Sequence, residues 1–457
     1  MENNIKIHLP VEVEYIIDTL YSKGYDCYAV GGCVRDSLMG KNPQDWDLTT
    51  NAPPQKTKEI FSDMETVDIG IQHGTVGIVI NKKVYETTTF RSESGYEDMR
   101  HPDKVEFVSD LKEDLKRRDF TINAMAYNRK DGLVDFFDGQ CDLQYKTIRC
   151  VGNSRERFSE DALRILRCLR FSSTLGFSIE PETAAGMREN AAGLKKISAE
   201  RISSEFFKLI CGKDAKYVLR RYKDIFLVIL PEIKPLINTK IKYRDYKGEI
   251  KERTLWQYCA TALGYVQSYQ EKNHEYALRG AILFHCLGSP VVEINKLTDC
   301  GFETLCAAVA ERIFERLRCS NSVSDIAVCL IKNRSLEVPE SKPAVKKLLN
   351  KLGYEKTFLL FDFWKCIYRG INVYEIKKRY LAALSASELL YEVVRNGECY
   401  RVRDLNINGK DLISSGVTDG KKIGDILNSL LNKVIEEEIP NEKGILIETA
   451  QEYILNN

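Results

Sequence analysis

The feature that most restricts the fold of this chain is a short apolar segment, residues 28–30, that ends at two consecutive glycines, Gly31 and Gly32. Apolar residues followed by glycine predict a strand and then a sharp turn, because a backbone without Cβ atoms reaches conformations closed to other residues. The amide groups of such a turn can closely approach a phosphate. Arg35 follows and offers a planar fork of donors to the same anion. The segment predicts a strand, a turn that binds an anion, and a helix.

Two aspartates, Asp45 and Asp47, flank Trp46 a little further along the chain. Because side chains alternate along a strand, both carboxylates should lie on one face and the indole on the other. Paired carboxylates suit Mg²⁺, and Mg²⁺ beside a phosphate site is typical of phosphoryl or nucleotidyl transfer. Each piece alone is as well explained by a plain turn or a polar strand end, but their combination at this spacing favours the metal site. Glu86 is a candidate third carboxylate if its strand lies beside the first, and an exposed strand glutamate is the alternative.

The string GGxVRDxLxGxxxxDxDL, residues 31–48, resembles the head motif of class II tRNA nucleotidyltransferases and bacterial poly(A) polymerases, within the polymerase β superfamily. The resemblance implies an α/β nucleotidyltransferase head with a mixed sheet, followed by an all-helical neck, body and tail. It implies a template-free enzyme that adds CCA, or part of it, to tRNA 3′ ends from CTP and ATP with Mg²⁺. Asp45 and Asp47 are then the catalytic, metal-binding carboxylates, and Gly32 and Arg35 bind the nucleotide.

A second segment, residues 117–126, joins two arginines and an asparagine to an apolar run, RRDFTINAMA. A basic side chain at the mouth of a carboxylate site would neutralise triphosphate charge, whereas a surface arginine pair is the plainer interpretation. The string is similar to the second motif of the same family, which implies that Arg118 contacts the nucleotide and Asn123 the sugar. Residues 135–139, DFFDG, resemble the family's hinge motif in a variant form.

A helix is predicted from Ala162 to Phe171, and Asp161, Arg164, Arg167 and Arg170 recur at every third position in a slanted stripe. An exposed salt-bridged face is the usual explanation of such a stripe. Cytosine and adenine, however, both present an amino donor beside a ring-nitrogen acceptor, and uracil and guanine present the reverse. An aspartate and an arginine could therefore admit C and A and reject U and G.

The string EDALRILRCLRF resembles the family's EDxxRxxRxxRF motif. This likeness implies that Asp161 and Arg164 read the base, with Arg167 and Arg170 as further nucleotide contacts. The predicted division is a catalytic head at 1–150, a base-recognising neck at 151–212, a body at 213–385 and a tRNA-binding tail at 386–457.

Length and composition agree with a soluble protein of several domains. The 457 residues are too many for one core, and 44% of them are hydrophobic. No run reaches the roughly 20 apolar residues of a membrane span, and no signal pattern opens the chain, so we predict a cytoplasmic protein without a membrane partner. A net charge of +1 requires any RNA contact to come from a local basic surface, and no DNA partner is expected.

The 14 cysteines form no CxxC pair, and many lie inside apolar runs. We interpret them as reduced, buried and inert, neither disulfides nor a zinc cage. Relatives often carry an HD phosphohydrolase-like domain in the body, but here only His285 remains of its metal-binding pattern. The sequence therefore predicts a helical remnant without metal or hydrolase activity.

Residues 91–103 are charged and rich in turn formers, which predicts a flexible surface loop, with a plain linker as the alternative. Relatives that add CCA have a flexible loop here that is implicated in the change from C to A addition, so the segment favours CCA or A addition over CC addition. A poly(A) polymerase of the same family remains an alternative. A non-catalytic RNA-binding protein is the more remote one, and the intact carboxylates argue against it.

Overall fold

The computed structural model of the chain describes residues 6–94, 104–244, 249–287, 302–371 and 374–455. The chain divides into two compact units, Met1–Pro231 and Glu232–Asn457. None of the helices within these ranges is long and apolar enough to cross a membrane. The division into head, neck, body and tail remains a prediction, because the two compact units do not resolve four parts.

The first unit is built on a mixed seven-stranded sheet with the order β3-β4-β5-β2-β1-β8-β9. The strands of this unit are β1 Cys27–Val30, β2 Asp47–Thr50, β3 Thr66–Gly70, β4 Thr75–Ile80, β5 Lys83–Thr89, β6 Arg91–Ser94, β7 Lys104–Phe107, β8 Met125–Asn128, β9 Gly132–Asp135, β10 Thr147–Ile148 and β11 Ser178–Ile179. Within the large sheet β2 and β5 run parallel, and the other neighbours are antiparallel. β6 pairs with β7, and β10 with β11, in two small separate sheets.

Helices cover both faces of the large sheet, and further helices follow it in the first unit. In chain order they are α1 Val11–Ser22, α2 Gly32–Leu38, α3 Pro54–Ile60, α4 Leu111–Lys116, α5 Gly139–Gln144, α6 Ser154–Glu160, α7 Leu163–Phe171, α8 Pro181–Asn190, α9 Ala199–Ile210, α10 Ala215–Arg221 and α11 Lys223–Ile229. Cys27 and Ala29 of β1 belong to the core beneath α1, and Tyr28 and Val30 to the core on the opposite face beneath α4. The central strand is therefore buried on both sides, which explains its uniformly apolar sequence.

β4 and β5 form an antiparallel hairpin. Its two-residue turn has positive φ at both Asn81 and Lys82, at 52° and 64°, as a primed turn requires. The predicted loop at residues 91–103 is wrong at its beginning, because Arg91–Ser94 is strand β6 and pairs with β7. Arg91–Ser94 forms a strand because its backbone groups pair with those of β7, a segment that has no strong strand signal of its own. Residues 95–103 lie outside the described ranges.

Gly139, at the end of the hinge-like segment, is required by close packing. Asp135 Oδ1 accepts hydrogen bonds from the backbone N–H groups of Phe137 and Gly139, at 3.3 and 2.9 Å, and closes the turn. A Cβ atom at Gly139 would lie 2.4 Å from the carbonyl oxygen of Thr121 and 2.9 Å from the Met125 side chain. Backbone atoms cannot move aside as a flexible side chain can, so the turn tolerates only glycine.

We therefore expect Gly139→Ala to destabilise the first unit by about 2 kcal/mol or more, since overpacking against backbone forces the turn to shift. Thermal unfolding followed by circular dichroism should show a melting temperature lower by about 4–8 °C. Gly424→Ala is the matched control, because nothing lies within 4 Å of a Cβ built at that helical position. Equal melting temperatures for the two variants would contradict this interpretation of Gly139.

The second unit is almost entirely helical. Its elements are α12 Lys234–Asn238, β12 Lys240–Arg244, β13 Ile250–Thr254, α13 Leu255–Leu263, α14 Lys272–Phe284, α15 Glu303–Arg316, α16 Asn321–Lys332, α17 Lys342–Ile371, α18 Tyr374–Arg395, α19 Gly409–Ser414, α20 Gly420–Ile435 and α21 Lys443–Leu455. Helix α17 is interrupted at Gly353, where φ is 77°. The last three helices share a core that includes Leu412, Leu430 and Leu446.

Candidate active site

The glycine turn brings two predicted nucleotide-binding arginines together. Gly31 has φ of 82° and precedes α2, as the sequence predicts. A Cβ atom at Gly31 would lie 3.2 Å from Nη1 of Arg118, and one at Gly32 would lie 3.6 Å from Nη2 of Arg35. Two guanidinium groups therefore border the turn from different segments of the chain, a positive site suited to a polyphosphate.

Arg35 is held in place by a buried chain of polar contacts. Its Nη1 donates to Oδ1 of Asn123 at 2.6 Å, and its guanidinium lies 5.2 Å from the ring centre of Phe171. Asn123 Nδ2 donates in turn to Oδ1 of Asp119 at 3.2 Å. Both ends of the Asn123 amide therefore contact protein groups, so in this structure Asn123 orients Arg35. Its predicted sugar contact stays a prediction.

Asp45 and Asp47 are both exposed, and Trp46 between them is buried at 5% exposure. The alternation of faces predicted for this segment is thus observed, although the strand itself begins only at Asp47. Neither carboxylate makes a hydrogen bond or ion pair through its side chain to the residues that the structure describes. The pair stands open beside the glycine turn.

The charges around Asp47 explain why this pair is suited to a cation. The side chain of Asp47 reaches solvent, but the protein around it displaces part of its hydration, which raises its pKa. The positive charge of Arg118 lowers this pKa and the like charge of Asp45 raises it, with a net increase. Two neighbouring carboxylates repel each other when both are ionised, and a shared divalent cation removes that repulsion. The donor set therefore fits a hard divalent metal ion.

Glu86 lies on the strand next to this pair. β2 and β5 are parallel with Leu48 opposite Thr87, so Asp47 and Glu86 occupy neighbouring positions just before that register. Partial burial, then the charges of Asp47 and Asp45, raise the pKa of Glu86. Among the described residues, however, these acids do not form a group of three with ligand atoms within 4.8 Å of one another. A role for Glu86 as third carboxylate stays a prediction.

Asp114, which the sequence did not single out, organises the positive side of the site. Its side chain is fully buried and accepts a hydrogen bond from the Thr49 hydroxyl at 3.1 Å. It also forms ion pairs with Arg117 at 2.8 Å and with Arg118 at 3.4 Å. Burial alone would raise the pKa of Asp114, but the charges of Arg117 and Arg118 hold it below its ordinary value. The residue thus fixes Arg118 at the glycine turn. A buried carboxylate next to paired arginines is a signal that sequence alone does not show.

The base-reading candidates lie at the start of α7. Asp161 Oδ1 accepts from the backbone N–H of Leu163, the first residue of α7, at 2.9 Å. Its Oδ2 lies 2.9 Å from Nη2 of Arg201. Arg164 Nη1 lies 2.5 Å from Oε2 of Glu160. Both members of the predicted pair therefore have protein partners of their own, and a base would have to exchange with those partners.

Arg167 and Arg170, further along α7, face carboxylates rather than solvent. Arg167 Nη2 lies 2.7 Å from Oδ2 of Asp119, and Arg170 Nε lies 2.6 Å from Oε2 of Glu205. Burial raises the pKa of Asp119, but Arg167 and Asn123 lower it to a net value below the ordinary one. These contacts tie α7 to the segment after α4 and to α9, so the stripe is partly buried. Its nucleotide contacts stay predictions.

The comparisons with known proteins identify the family. Residues 27–149 match the model of the Poly A polymerase head domain. Over 455 residues the chain is 35% identical to the CCA-adding enzyme of Limosilactobacillus fermentum, with 98% of each protein covered. Over 454 residues it is 33% identical to the enzyme of the same name from Ligilactobacillus salivarius, with 96% of this chain and 95% of that protein covered. The chain belongs to the CCA-adding enzyme family.

Two further segments match family models. Residues 176–237 match the probable RNA and SrmB-binding site of polymerase A, and residues 308–450 match the putative domain 2 of tRNA nucleotidyltransferase. The predicted membership of the class II family and the predicted nucleotidyltransferase activity are thereby confirmed. A non-catalytic RNA-binding protein is excluded by the same family membership.

Solved structures agree with this assignment to the CCA-adding enzyme family. The Bacillus stearothermophilus CCA-adding enzyme, solved in complex with CTP, is 28% identical, with a TM-score of 0.69 and 98% of both chains covered. The Thermotoga maritima CCA-adding enzyme, solved with tRNA, is 19% identical with a TM-score of 0.57 and supports the fold alone. The predicted fold class, a polymerase-type head followed by helices, is confirmed. Enzymes of this nucleotidyltransferase family generally use a divalent metal ion.

The role of Asp114 predicts a pH-dependent loss of stability in Asp114→Asn. Because the folded pKa of Asp114 is lowered, its contribution is present above the unfolded carboxyl pKa of about 4 and is lost as pH falls through the folded value. We expect the variant to lose about 3 kcal/mol of unfolding free energy at pH 7, because two arginines lose their buried partner. This difference should shrink below pH of about 4.

Urea unfolding at several pH values measures this difference. The control is Glu113→Gln on the same helix, whose ion pair with Lys116 at 3.5 Å is exposed. It should change the unfolding free energy by less than about 0.5 kcal/mol. A pH-independent effect of Asp114→Asn would contradict an ionised Asp114.

Proposed function

We propose that this chain adds cytidine, cytidine and adenosine in turn to the 3′ end of tRNA, from CTP and ATP, with Mg²⁺ bound by Asp45 and Asp47. The observation that carries the proposal is the open carboxylate pair beside a glycine turn bordered by two arginines. Relatives named CCA-adding enzymes match nearly the whole chain, and a related enzyme has been solved with CTP. Such a reaction would place the protein in the cytoplasm with its tRNA substrate.

The residues of the carboxylate pair fit a magnesium ion. Both side chains are accessible, both face away from the buried Trp46, and their mutual repulsion favours a shared cation. A magnesium ion at this site would supply the acidity that lowers the pKa of the tRNA 3′-hydroxyl, so that its oxygen bonds to the α-phosphate of the nucleotide while the bond to the β-phosphate breaks and pyrophosphate leaves. Asp45 and Asp47 would supply the oxygen ligands of this ion.

The triphosphate would lie along the turn between Gly31 and Arg118. Backbone N–H groups at the start of α2 point towards this turn, and Arg35 and Arg118 supply positive charge from two sides. The buried Asn123 and Asp114 hold these two arginines before the nucleotide arrives. Pre-organised charge of this kind stabilises negative charge that develops on the phosphates during transfer.

Base selection would depend on Asp161 and Arg164 at the start of α7. A cytosine or adenine offers an amino hydrogen to the Asp161 carboxylate and a ring nitrogen to the Arg164 guanidinium. Uracil and guanine would place a carbonyl oxygen against the carboxylate, so both would be rejected. The present partners, Arg201 and Glu160, keep the two charges compensated when no base is bound.

A single assay tests the proposed reaction. The chain is incubated with tRNA that lacks its three 3′-terminal nucleotides, with each nucleoside triphosphate alone and with CTP and ATP together, and products are resolved on a sequencing gel. We expect growth by three nucleotides with CTP and ATP, followed by arrest, and none with UTP or GTP. Unlimited adenosine addition to unrelated RNA would instead identify a poly(A) polymerase. Growth by one nucleotide with ATP on tRNA that already ends in CC, together with no use of CTP on any substrate, would identify an A-adding enzyme.

A further inference from the structure

A cluster of metal-ligating side chains lies in the second unit, in the region predicted to hold no metal. Cys259 is on α13, and His285 and Cys286 follow the end of α14. One ligand atom from each of the three lies within 4.8 Å of the others, and all three residues are buried, with 1% exposure or less. In the described part of the chain, no other group of three such residues is this compact.

The spacing of the cluster is close to that of a tetrahedral metal site. Zinc binds cysteine sulfur at about 2.3 Å and histidine nitrogen at about 2.0–2.1 Å, which separates neighbouring ligand atoms by roughly 3.5–3.8 Å. A contraction of about 1 Å or less, within the range of side-chain rotation, would bring the three donors to that geometry. Two sulfurs and one imidazole are the donor types that select zinc over magnesium or calcium.

The imidazole is already oriented as in a ligand. His285 Nδ1 lies 2.8 Å from the carbonyl oxygen of Ile282, which can accept its proton and leave the lone pair on Nε2. A hydrogen bond of this kind from the second ring nitrogen accompanies almost every histidine that binds a metal. Nε2 lies 3.3 Å from the hydroxyl of Tyr258, so an oxygen also borders the fourth position.

The backbone that carries the cluster is fixed from outside. Arg334, which is buried at 3% exposure, donates from Nη1 to the carbonyl oxygen of His285 at 2.6 Å. Trp364 Nε1 donates to the carbonyl oxygen of Arg334 at 2.8 Å, and the ring of Phe363 meets His285 edge-on at 5.6 Å. The turn after α14 is thus held by α17 and by the segment after α16. The ligands are therefore already ordered, which limits the conformational entropy that would be lost when a metal ion binds.

The charge balance also favours a metal ion. Two thiolates and one Zn²⁺ sum to zero, so the filled site carries no net charge into the apolar interior. Two cations lie nearby. Arg334 has the carboxylate of Glu303 at 3.7 Å, and the guanidinium of Arg253 lies 5.3 Å from the ring centre of Tyr258. Binding would release the two thiol protons and form two zinc–sulfur bonds and one zinc–nitrogen bond.

We propose that Cys259, His285 and Cys286 form a structural zinc site in the second unit. The sequence predicted inert cysteines and no metal here because it contains neither the complete set of histidine and aspartate residues of the HD pattern nor a CxxC pair. The second thiol comes instead from α13, 26 positions before His285, and only the packing of α13 against α14 brings it close. The site is independent of the active site and of the proposed reaction.

Metal analysis of the full chain tests this site. The protein is produced in zinc-supplemented medium, purified without chelators or a histidine tag, and its zinc is measured by mass spectrometry. We expect about one zinc per chain, and less than about 0.2 in Cys259→Ser and in Cys286→Ser, because losing one of three protein ligands removes most of the affinity. Cys366→Ser is the matched control, since Cys366 is a buried cysteine of the same unit outside the cluster, and it should keep its zinc.

A second measurement guards against variants that fail to fold. The wild-type chain is unfolded, freed of metal and refolded with Co²⁺, and thiolate-to-cobalt charge-transfer absorption in the near ultraviolet is expected. A wild-type chain without zinc and without this absorption would overturn the proposal, as would full zinc content in both cluster variants. Thiol titration of the denatured, metal-free chain should find all 14 cysteines reduced. Two missing thiols would indicate a disulfide and would likewise overturn the site.

Discussion

Replacing Asp47 with asparagine should lower the rate of nucleotide addition by about 10³-fold or more, because a metal-bound oxygen contributes several kcal/mol at the transition state. Asp45→Ala should have a similar effect, since each residue supplies one half of the proposed metal site. CTP affinity should change by less than about 3-fold, because Arg35 and Arg118 hold the triphosphate. Single-turnover addition of labelled CTP to tRNA and equilibrium CTP binding measure the two quantities separately.

The matched control for this prediction is Asp68→Asn. Asp68 is an exposed carboxylate on β3 of the same sheet, and its ion pair is with Lys58 at 3.0 Å. The control should leave both the rate and CTP binding within about 2-fold of wild type, because an exposed ion pair contributes little. Near-normal turnover in Asp47→Asn or Asp45→Ala would refute the assignment of these carboxylates to the metal.

Replacing Asp161 with asparagine should relax the choice of nucleotide. An asparagine amide offers both a donor and an acceptor, so a keto group that the carboxylate repels would find a hydrogen-bond donor. We expect kcat/KM for CTP to fall by about 10–100-fold, as one polar base contact is worth about 1–3 kcal/mol, and kcat/KM for UTP to rise relative to it. Steady-state kinetics with all four nucleotides give the ratios.

The ratio of nucleotides separates base reading from a structural effect. Asp161 also caps α7 and pairs with Arg201, so its loss could weaken the fold around the site. A purely structural defect would lower kcat/KM for all four nucleotides by the same factor and leave their ratios unchanged, which would contradict the proposed role. Glu156→Gln, an exposed carboxylate on α6, is the control and should preserve both the rates and the ratios.

Local patterns predicted much of the first unit. Side chains alternate between the two faces of a strand, which placed the carboxylates of Asp45 and Asp47 opposite the buried indole of Trp46. The helical spacing of apolar residues located α7 to within one residue. The glycine turn also followed from residues that are adjacent in sequence. Each of these features is decided by contacts within a few positions of the chain.

Features that depend on distant partners were not predicted. The sequence indicated Arg118 but not the buried Asp114 that holds it, because burial is a property of the folded sheet. The pairing of Asp161 with Arg201 spans 40 positions, and no local signal indicates it. Residues 215–227 have a continuous helical pattern, yet the structure divides them at the buried Tyr222 into α10 and α11.

A crystal structure with CTP and Mn²⁺ in place of Mg²⁺ tests the central claim most directly. Anomalous scattering should place one manganese ion between the carboxylates of Asp45 and Asp47 and the phosphates, with the cytosine edge against Asp161 and Arg164. A nucleotide bound without a metal ion at that pair, or a base far from the start of α7, would contradict the account.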